Sequence, residues 1–204
     1  AEIIDASTLL VSVQAVNNEL GTIQPIRELY NICQDTGALF HSDCAQAIGK
    51  IPLDLFSGCV DFASVSAHKF YGPKGIGFLY INGGHQNHPI SPQIYGGQQQ
   101  GGVRSGTYNL PAIIGMTRAL EIVSSSFNDD REKISLLRDL FEKELLVRVP
   151  SAIVNGKRRR VAGASNVTVP GIISEAIVAR LDEVLISSGS ACNSGSPSPS
   201  HVLK

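Results

Sequence analysis

A succession of strand, helix and strand patterns in the first quarter of the chain most limits how it can fold. Residues 8–14 form an apolar run that predicts a buried strand. Pro25 stands at the favoured first position of a helix, and apolar residues follow at the spacing i, i+3, i+4, i+7 until Gly37 closes it. A second apolar strand is predicted at residues 38–42. Because a helix of this length joins the two strands, we expect an α/β fold with a mixed, mostly parallel sheet.

The stretch 61–75, DFASVSAHKFYGPKG, ends another apolar strand in reactive side chains. Ser66, His68 and Lys69 follow that strand and precede a turn. Proteins of the α/β class bind ligands at the carboxyl ends of their strands. An amine against an apolar strand is suited to forming a Schiff base. Taken alone, a lysine in a loop is more often a solvated charge, so this motif needs support from the rest of the chain.

Asp43 ends the strand at 38–42 and is therefore predicted to be a buried carboxylate at the same edge of the sheet. Beyond Lys69, we predict a strand, a long loop rich in Gly, Gln and Pro, and a helix, at residues 76–81, 83–106 and 110–123. The polar segment at 124–130 is predicted to break the helical pattern. We place a domain boundary there, which gives domains at residues 1–127 and 128–204.

The second predicted domain contains shorter elements of α+β type. A helix is predicted at 131–149, with Ile134, Leu137, Phe141 and Leu145 along one apolar stripe. Strands are predicted at 152–154, 165–169 and 184–186, and Ser174 is predicted to cap a helix that reaches residue 181. The basic run at 157–160 could bind an acidic partner, but a solvated hairpin loop is the favoured interpretation.

Composition excludes several classes of function. The 204 residues carry a net charge of -1, which gives no electrostatic reason to expect nucleic acid or an acidic membrane as a partner. No apolar run is long enough to span a bilayer, and the first residues lack the pattern of a secretory signal. Three of the four cysteines, Cys33, Cys44 and Cys59, lie in apolar segments and are predicted to be buried, with no metal site. We therefore expect a reducing compartment.

The polar segments match one known family in order and spacing. They are Asn17-Asn18-Glu19, His41-Ser42-Asp43-Cys44-Ala45-Gln46, Ser66-Ala67-His68-Lys69, Arg104-Ser105-Gly106-Thr107 and Ser187-Ser188-Gly189-Ser190-Ala191-Cys192. Together they resemble the cysteine desulfurases of the NifS/IscS type, which are pyridoxal-phosphate enzymes of the class V aminotransferase family. The last segment resembles the long cysteine loop of the group I desulfurases.

The resemblance implies a fold and a set of site residues. The fold is part of the large domain of pyridoxal-phosphate fold type I, followed by part of a C-terminal α+β domain. Lys69 is similar to the lysine that holds the cofactor covalently, and Asp43 to the partner of the ring nitrogen. The remaining positions match cofactor contacts, namely the ring contacts Asn18 and Gln46, the phosphate contacts Ser66 and His68, and Thr107, which the family supplies from the neighbouring subunit of a homodimer.

The resemblance also implies a reaction, in which L-cysteine gives L-alanine and a persulfide on Cys192. The sulfur would pass to an iron–sulfur scaffold or another acceptor protein, in the cytoplasm or, in a eukaryote, the mitochondrion. Selenocysteine lyase and a non-catalytic interaction fragment of the sulfur-transfer machinery are the alternatives. The family's stacking imidazole and its carboxylate-binding arginine have no match here, and Cys44 replaces an expected Ala or Thr. We therefore expect a piece of the enzyme that lacks both ends.

Overall fold

The computed structural model describes residues 3–52, 57–88, 90–156, 159–181, 183–188 and 202–203. The chain divides into two compact units. The first contains Ala1–Val16 and Gln24–Asp129, and the second contains Asn17–Ile23 and Asp130–Lys204. The domain boundary that we placed after residue 127 stays a prediction. We did not predict that residues 17–23 belong to the second unit. Among the described helices, none is long and apolar enough to cross a membrane.

A four-stranded sheet forms the framework of the first unit. Its strands lie in the order β1-β2-β3-β4 and comprise Leu10–Gln14, Leu39–Asp43, Phe62–Ser66 and Gly77–Ile81. The first three strands run parallel, whereas β4 pairs antiparallel with β3. This arrangement confirms the predicted α/β class with a mixed, mostly parallel sheet.

Helix α1, Ile26–Thr36, connects β1 to β2 as predicted. It ends where Gly37 takes a left-handed conformation with φ of 78°, which a residue without Cβ adopts at little cost. Cys33 on its inner face is fully buried, and the ring of Tyr30 meets the ring of Phe40 edge-on at 6.3 Å between centroids. The apolar face of α1 therefore packs against β2, which places the core of this unit beneath the sheet's middle strands.

Strand β1 departs from the prediction of a buried strand. Its residues alternate between exposed and half-exposed, and Leu10 retains 49% of its accessible surface. The strand lies at the margin of the described sheet and has a hydrogen-bonded neighbour on one side only. An apolar run identifies a strand, but it does not give that strand's place in the sheet.

The break predicted at 124–130 is present, but it is much shorter than predicted. Helices α2 and α3 span Leu110–Ser125 and Phe127–Arg148, with Ser126 alone between them. The last polar residues of this segment, 128–130, form the first turn of α3, where Asp129 and Asp130 complement the positive end of the helix dipole. The predicted apolar stripe of α3 is present in the sequence, but none of its described residues is buried.

In the second unit, strands β5 and β6 form the predicted antiparallel pair at Ile153–Asn155 and Asn166–Thr168. We predicted that Arg160 belongs to a solvated loop, and this prediction is wrong. Its side chain is largely buried and forms an ion pair with Glu142 of α3 at 2.5 Å. The hydroxyl of Ser165 donates to the same carboxylate at 2.8 Å. The acidic partner of this arginine thus comes from the chain itself, while residues 157–158 lie outside the described part.

The end of the second unit is less regular than the sequence predicts. Helix α4 covers Ser174–Val178 and stops before residue 181. Ser174 is its first residue and not its cap, because the hydroxyl donates to the carboxylate of Glu175 at 3.1 Å instead of accepting from the backbone. Residues 184–186, predicted as a strand, have no regular secondary structure.

Candidate active site

The carboxyl ends of β2 and β3 bring the predicted catalytic side chains to one edge of the sheet. Asp43 is the last residue of β2 and lies in register with Ser64 of β3. Ser66 ends β3, and a short 3-10 helix at Ala67–Phe70 follows it directly and carries His68 and Lys69. Parallel strands end at the same edge, so the fold itself gathers these groups.

A tight reversal after Lys69 holds this edge in place. Tyr71 closes the 3-10 helix in a left-handed conformation with φ of 69°, and Gly72 donates its N–H to the carbonyl of Ala67 at 2.9 Å. Strand β4 then returns so close to β3 that a Cβ on Gly77 would lie 2.2 Å from the carbonyl oxygen of Val65. Only glycine therefore fits at position 77, where the two strands approach each other this closely.

Ser66 and His68, which lie at the same edge of the sheet, also contact each other. The Ser66 hydroxyl lies 3.0 Å from Nδ1 of His68, within hydrogen-bonding distance, and the imidazole is exposed. When Nδ1–H of His68 donates to the hydroxyl, the O–H of Ser66 can donate to a phosphate oxygen, and in an imidazolium Nε2–H can donate to the phosphate as well. The structure therefore places the two predicted phosphate contacts where they can act together.

Lys69 is half-buried, and no described residue gives its amine a hydrogen bond or an ion pair. A second lysine, Lys50, lies near enough for their charges to interact. Burial, and then the positive charge of Lys69, lower the pKa of Lys50. Two partly buried cations without a described carboxylate partner make this edge a place that favours an anion.

Asp43 is exposed, which contradicts the buried carboxylate that we predicted. Its Oδ1 accepts a hydrogen bond from the backbone N–H of Ala45 at 2.8 Å, which fixes the direction of the carboxylate. The other oxygen, Oδ2, has no partner among the described residues. Asp43 ends β2 with its side chain on the opposite face from buried Ser42, and this alternation explains its exposure.

Gln46 lies in the turn that follows β2. The N–H groups of Ala47 and Ile48 both donate to the carbonyl of Cys44, at 2.9 and 3.2 Å, so the chain winds as in a helix. This winding brings Gln46 and Lys50 to the same side, and the ammonium of Lys50 donates to Oε1 of Gln46.

The remaining predicted site residues are Asn18, Thr107 and Cys192. Asn18 is exposed and belongs to the second unit. Thr107 lines a cavity of the first unit together with Arg104, Tyr108 and residues of β4, and none of the other described site residues of that unit lines it. Cys192 lies outside the described residues. In the part that is described, no three His, Cys, Asp or Glu side chains are grouped to hold a metal ion.

Sequence reasoning missed the roles of two neighbours of the site. Lys50 follows Gln46 by four residues, and this spacing within a helix-like turn was the available signal. His41 is the second, and its ring bridges three strands. Nδ1 lies 2.7 Å from the hydroxyl of Ser12 on β1, and Nε2 lies 3.2 Å from the hydroxyl of Ser64 on β3. A sequence alone does not show such a contact, because it depends on the register of all three strands.

Several curated proteins similar to this chain are cysteine desulfurases. The curated cysteine desulfurase IscS of Rickettsia africae is 43% identical over 198 residues, which are 97% of this chain and 48% of that protein. The IscS of Rickettsia typhi is 44% identical over the same length. The chain thus spans about half the length of the curated relatives it matches.

Solved structures give the same result. A NifS-like protein from Rickettsia africae superposes with a TM-score of 0.83 at 34% identity, over 93% of this chain and 53% of that one. SspA in complex with cysteine superposes with a TM-score of 0.80 at 36% identity, over 99% of this chain and 55% of that one. The model of the family described as aminotransferase class-V matches residues 1–203. This chain therefore belongs to the class-V aminotransferase family.

Proposed function

We propose that this protein is a pyridoxal-phosphate-dependent cysteine desulfurase, which converts L-cysteine to L-alanine and leaves a persulfide on Cys192. The observation that carries the proposal is the amine of Lys69. It has no partner among the described residues and follows the Ser66–His68 pair at the carboxyl edge of parallel strands. The IscS relatives and the NifS-like structure support this reading of the site.

The described residues fit pyridoxal phosphate by their chemistry. The cofactor has a phosphate, a ring nitrogen, a phenolic oxygen attached to the ring (the ring oxygen) and an aldehyde. The edge offers a hydrogen-bonded hydroxyl and imidazole, a carboxylate with one unused oxygen, an amide and an unpaired amine. The excess of positive charge from Lys50 and Lys69 also suits an anionic ligand. When bound, the cofactor supplies a ring that withdraws electrons from the substrate.

Each residue then has a defined task. Asp43, through Oδ2, holds a proton on the ring nitrogen, while Ser66 and His68 bind the phosphate. Lys69 holds the cofactor and then uses its amine to accept a proton from the α-carbon of the substrate. We propose Gln46 and Asn18 as ring contacts and Thr107 as a phosphate contact given to the second subunit of a homodimer.

The sulfur acceptor is proposed to be Cys192 because the other cysteines are inaccessible. Cys33 and Cys44 are fully buried and Cys59 is 5% exposed. Burial also raises the pKa of the Cys33 thiol, and it raises that of Cys44 to about 11, so few of these thiols are ionised at neutral pH. Cys33 and Cys44 therefore cannot readily present a thiolate to a substrate, and Cys59 is too deeply buried to reach one.

The transfer is balanced without an external oxidant. The thiolate of Cys192 attacks the substrate sulfur, and a sulfur–sulfur bond forms as the bond between sulfur and the β-carbon breaks. The electron pair of that bond stays on the β-carbon, which takes up the proton that Cys192 lost and becomes the methyl group of alanine. The sulfur bound to Cys192 then passes to an acceptor such as an iron–sulfur scaffold, in the cytoplasm or the mitochondrion.

The test uses the protein at its full natural length, purified with pyridoxal phosphate and supplied with L-cysteine. We expect visible absorbance from bound cofactor and alanine formed in step with transferred sulfur. Cys192→Ser should keep the absorbance and release no sulfide, whereas the control Cys59→Ser should keep both. Normal sulfide release by Cys192→Ser would refute the assignment of the acceptor, and a colourless wild-type protein would refute the cofactor.

A further inference from the structure

The proposed function uses only the positive charge of Lys50, although three properties of this residue point to a more specific role. It is half-buried, its ammonium donates to Oε1 of Gln46, and the charge of Lys69 acts on it. No described carboxylate forms an ion pair with it. A lysine kept for solubility would extend into water and not toward a second lysine.

The hydrogen bond between Lys50 and Gln46 determines which polar group of the Gln46 side-chain amide remains available for another hydrogen bond. An ammonium group can only donate, so it must meet the carbonyl oxygen of an amide and never its NH₂ group. The oxygen of Gln46 is therefore occupied, and Nε2 has no partner among the described residues. The N–H donors of Gln46 therefore remain available to its neighbours.

The packing around this turn keeps the pair in place. Gly49, between the two residues, has φ of 73°, and a Cβ there would lie 3.3 Å from the side chain of Val123 on α2 and 3.6 Å from that of Phe70. The N–H of Lys50 donates to the carbonyl of Ala47 at 3.0 Å. The turn is thus fixed against both α2 and the 3-10 helix that carries Lys69.

We propose that Lys50 is a positioning residue, which holds the amide of Gln46 so that Nε2 donates to the anionic ring oxygen of pyridoxal phosphate. This inference rests on the proposed function, because it assumes that the cofactor occupies this edge. Without Lys50, the amide can rotate and present its oxygen, which would repel the ring oxygen. The lysine acts through Gln46 and does not touch the substrate.

The experiment measures two properties of the bound cofactor that do not depend on turnover. One is its dissociation constant, and the other is the pH midpoint of its visible absorbance change. For Lys50→Met we expect about tenfold weaker binding, the usual effect of losing one hydrogen bond to a charged group, and a midpoint higher by about one pH unit. Lys50→Arg keeps a donor and a charge, and it should stay within about twofold of wild type.

A double-mutant cycle with Gln46→Met isolates the positioning role. In that background, Lys50→Met should have less than half of its effect on either property. An equal effect would overturn the proposal, because the lysine would then act by its charge alone. If circular dichroism shows that Lys50→Met does not fold, Lys50→Gln replaces it. This variant keeps a hydrogen-bond donor but no charge, and it should bind pyridoxal phosphate within about threefold of the wild-type affinity.

Failure of this inference and failure of the proposed function give different results. A wild-type protein that takes up no cofactor would overturn the proposed function and, with it, the role of Lys50. A wild-type protein that binds cofactor, together with a Lys50→Met variant of unchanged affinity and midpoint, would overturn the role of Lys50 alone.

Discussion

Cys44 allows a quantitative test, because it adjoins the proposed catalytic carboxylate and yet is expected to be inert. Burial raises its pKa from 9.0 to about 11. At pH 8, a thiol with a pKa of 9.0 is about 9% ionised and one with a pKa of 11 about 0.1% ionised. Since the thiolate is the reactive form, Cys44 should alkylate at least about 100-fold more slowly in the folded protein than in the denatured one.

The assay is a time course of iodoacetamide labelling, followed by proteolysis and mass spectrometry of the peptide that carries Cys44. The pH dependence distinguishes ionisation from simple opening of the structure. Between pH 8 and pH 10 the rate for the folded protein should rise about tenfold per unit, whereas that for the denatured protein should level off above pH 9. Labelling within tenfold of the denatured rate at pH 8 would refute the reasoning, and Cys44 would then compete with Cys192 for sulfur.

The same raised pKa affects stability, with a sign that can be worked out. The folded state binds the thiol proton more tightly than the unfolded state, so this stabilising contribution is complete below pH 9 and is lost as the pH rises towards 11. From pH 8 to pH 10 the wild type should lose about 1 kcal/mol relative to Cys44→Ala, measured by urea unfolding at each pH. Parallel pH curves for the two proteins would contradict the shift.

Three further predictions concern individual side chains. Borohydride reduction and peptide mapping should find the pyridoxyl group on Lys69, and a label on Lys50 or Lys74 would overturn that assignment. Asp43→Ala should retain some cofactor but lower turnover by more than about tenfold, because the ring nitrogen loses its proton, and near-normal turnover would contradict its role. Asn109→Ala should lower the free energy of unfolding by about 1 kcal/mol, since Oδ1 of Asn109 caps α2 at 3.2 Å from the N–H of Ala112, whereas Asn109→Asp should not.

The sequence predicted the elements whose signals are local. Helix α1 follows from Pro25, an apolar face at helical spacing and Gly37, although Pro25 occupies the cap position before the helix and not its first position as predicted. The sheet class follows from strands joined by a helix, and the reactive edge from polar side chains at strand ends. These features depend on residues a few positions apart, which a pattern can show.

Features that depend on distant partners were missed or mispredicted. Arg160 looked solvated because its partner, Glu142, precedes it by 18 residues on another element. The apolar residues of α3 predicted a buried face, yet a periodic pattern does not say what covers that face. Lys50 was overlooked because its significance arises from the proximity of Lys69, which only the fold creates.

The ring of His41 also bears on the alignment of the whole site. Successive side chains of a strand point to opposite faces, so shifting β1 or β3 by one residue would turn Ser12 or Ser64 away from the imidazole. Each one-residue shift would lose a hydrogen bond that contributes about 0.5–1.5 kcal/mol. It would also move apolar side chains to the wrong face of the sheet. His41 thus helps to fix the register of three strands. The positions of Asp43 and Lys69 at the carboxyl ends of β2 and β3 depend on that register, although His41 contacts neither residue.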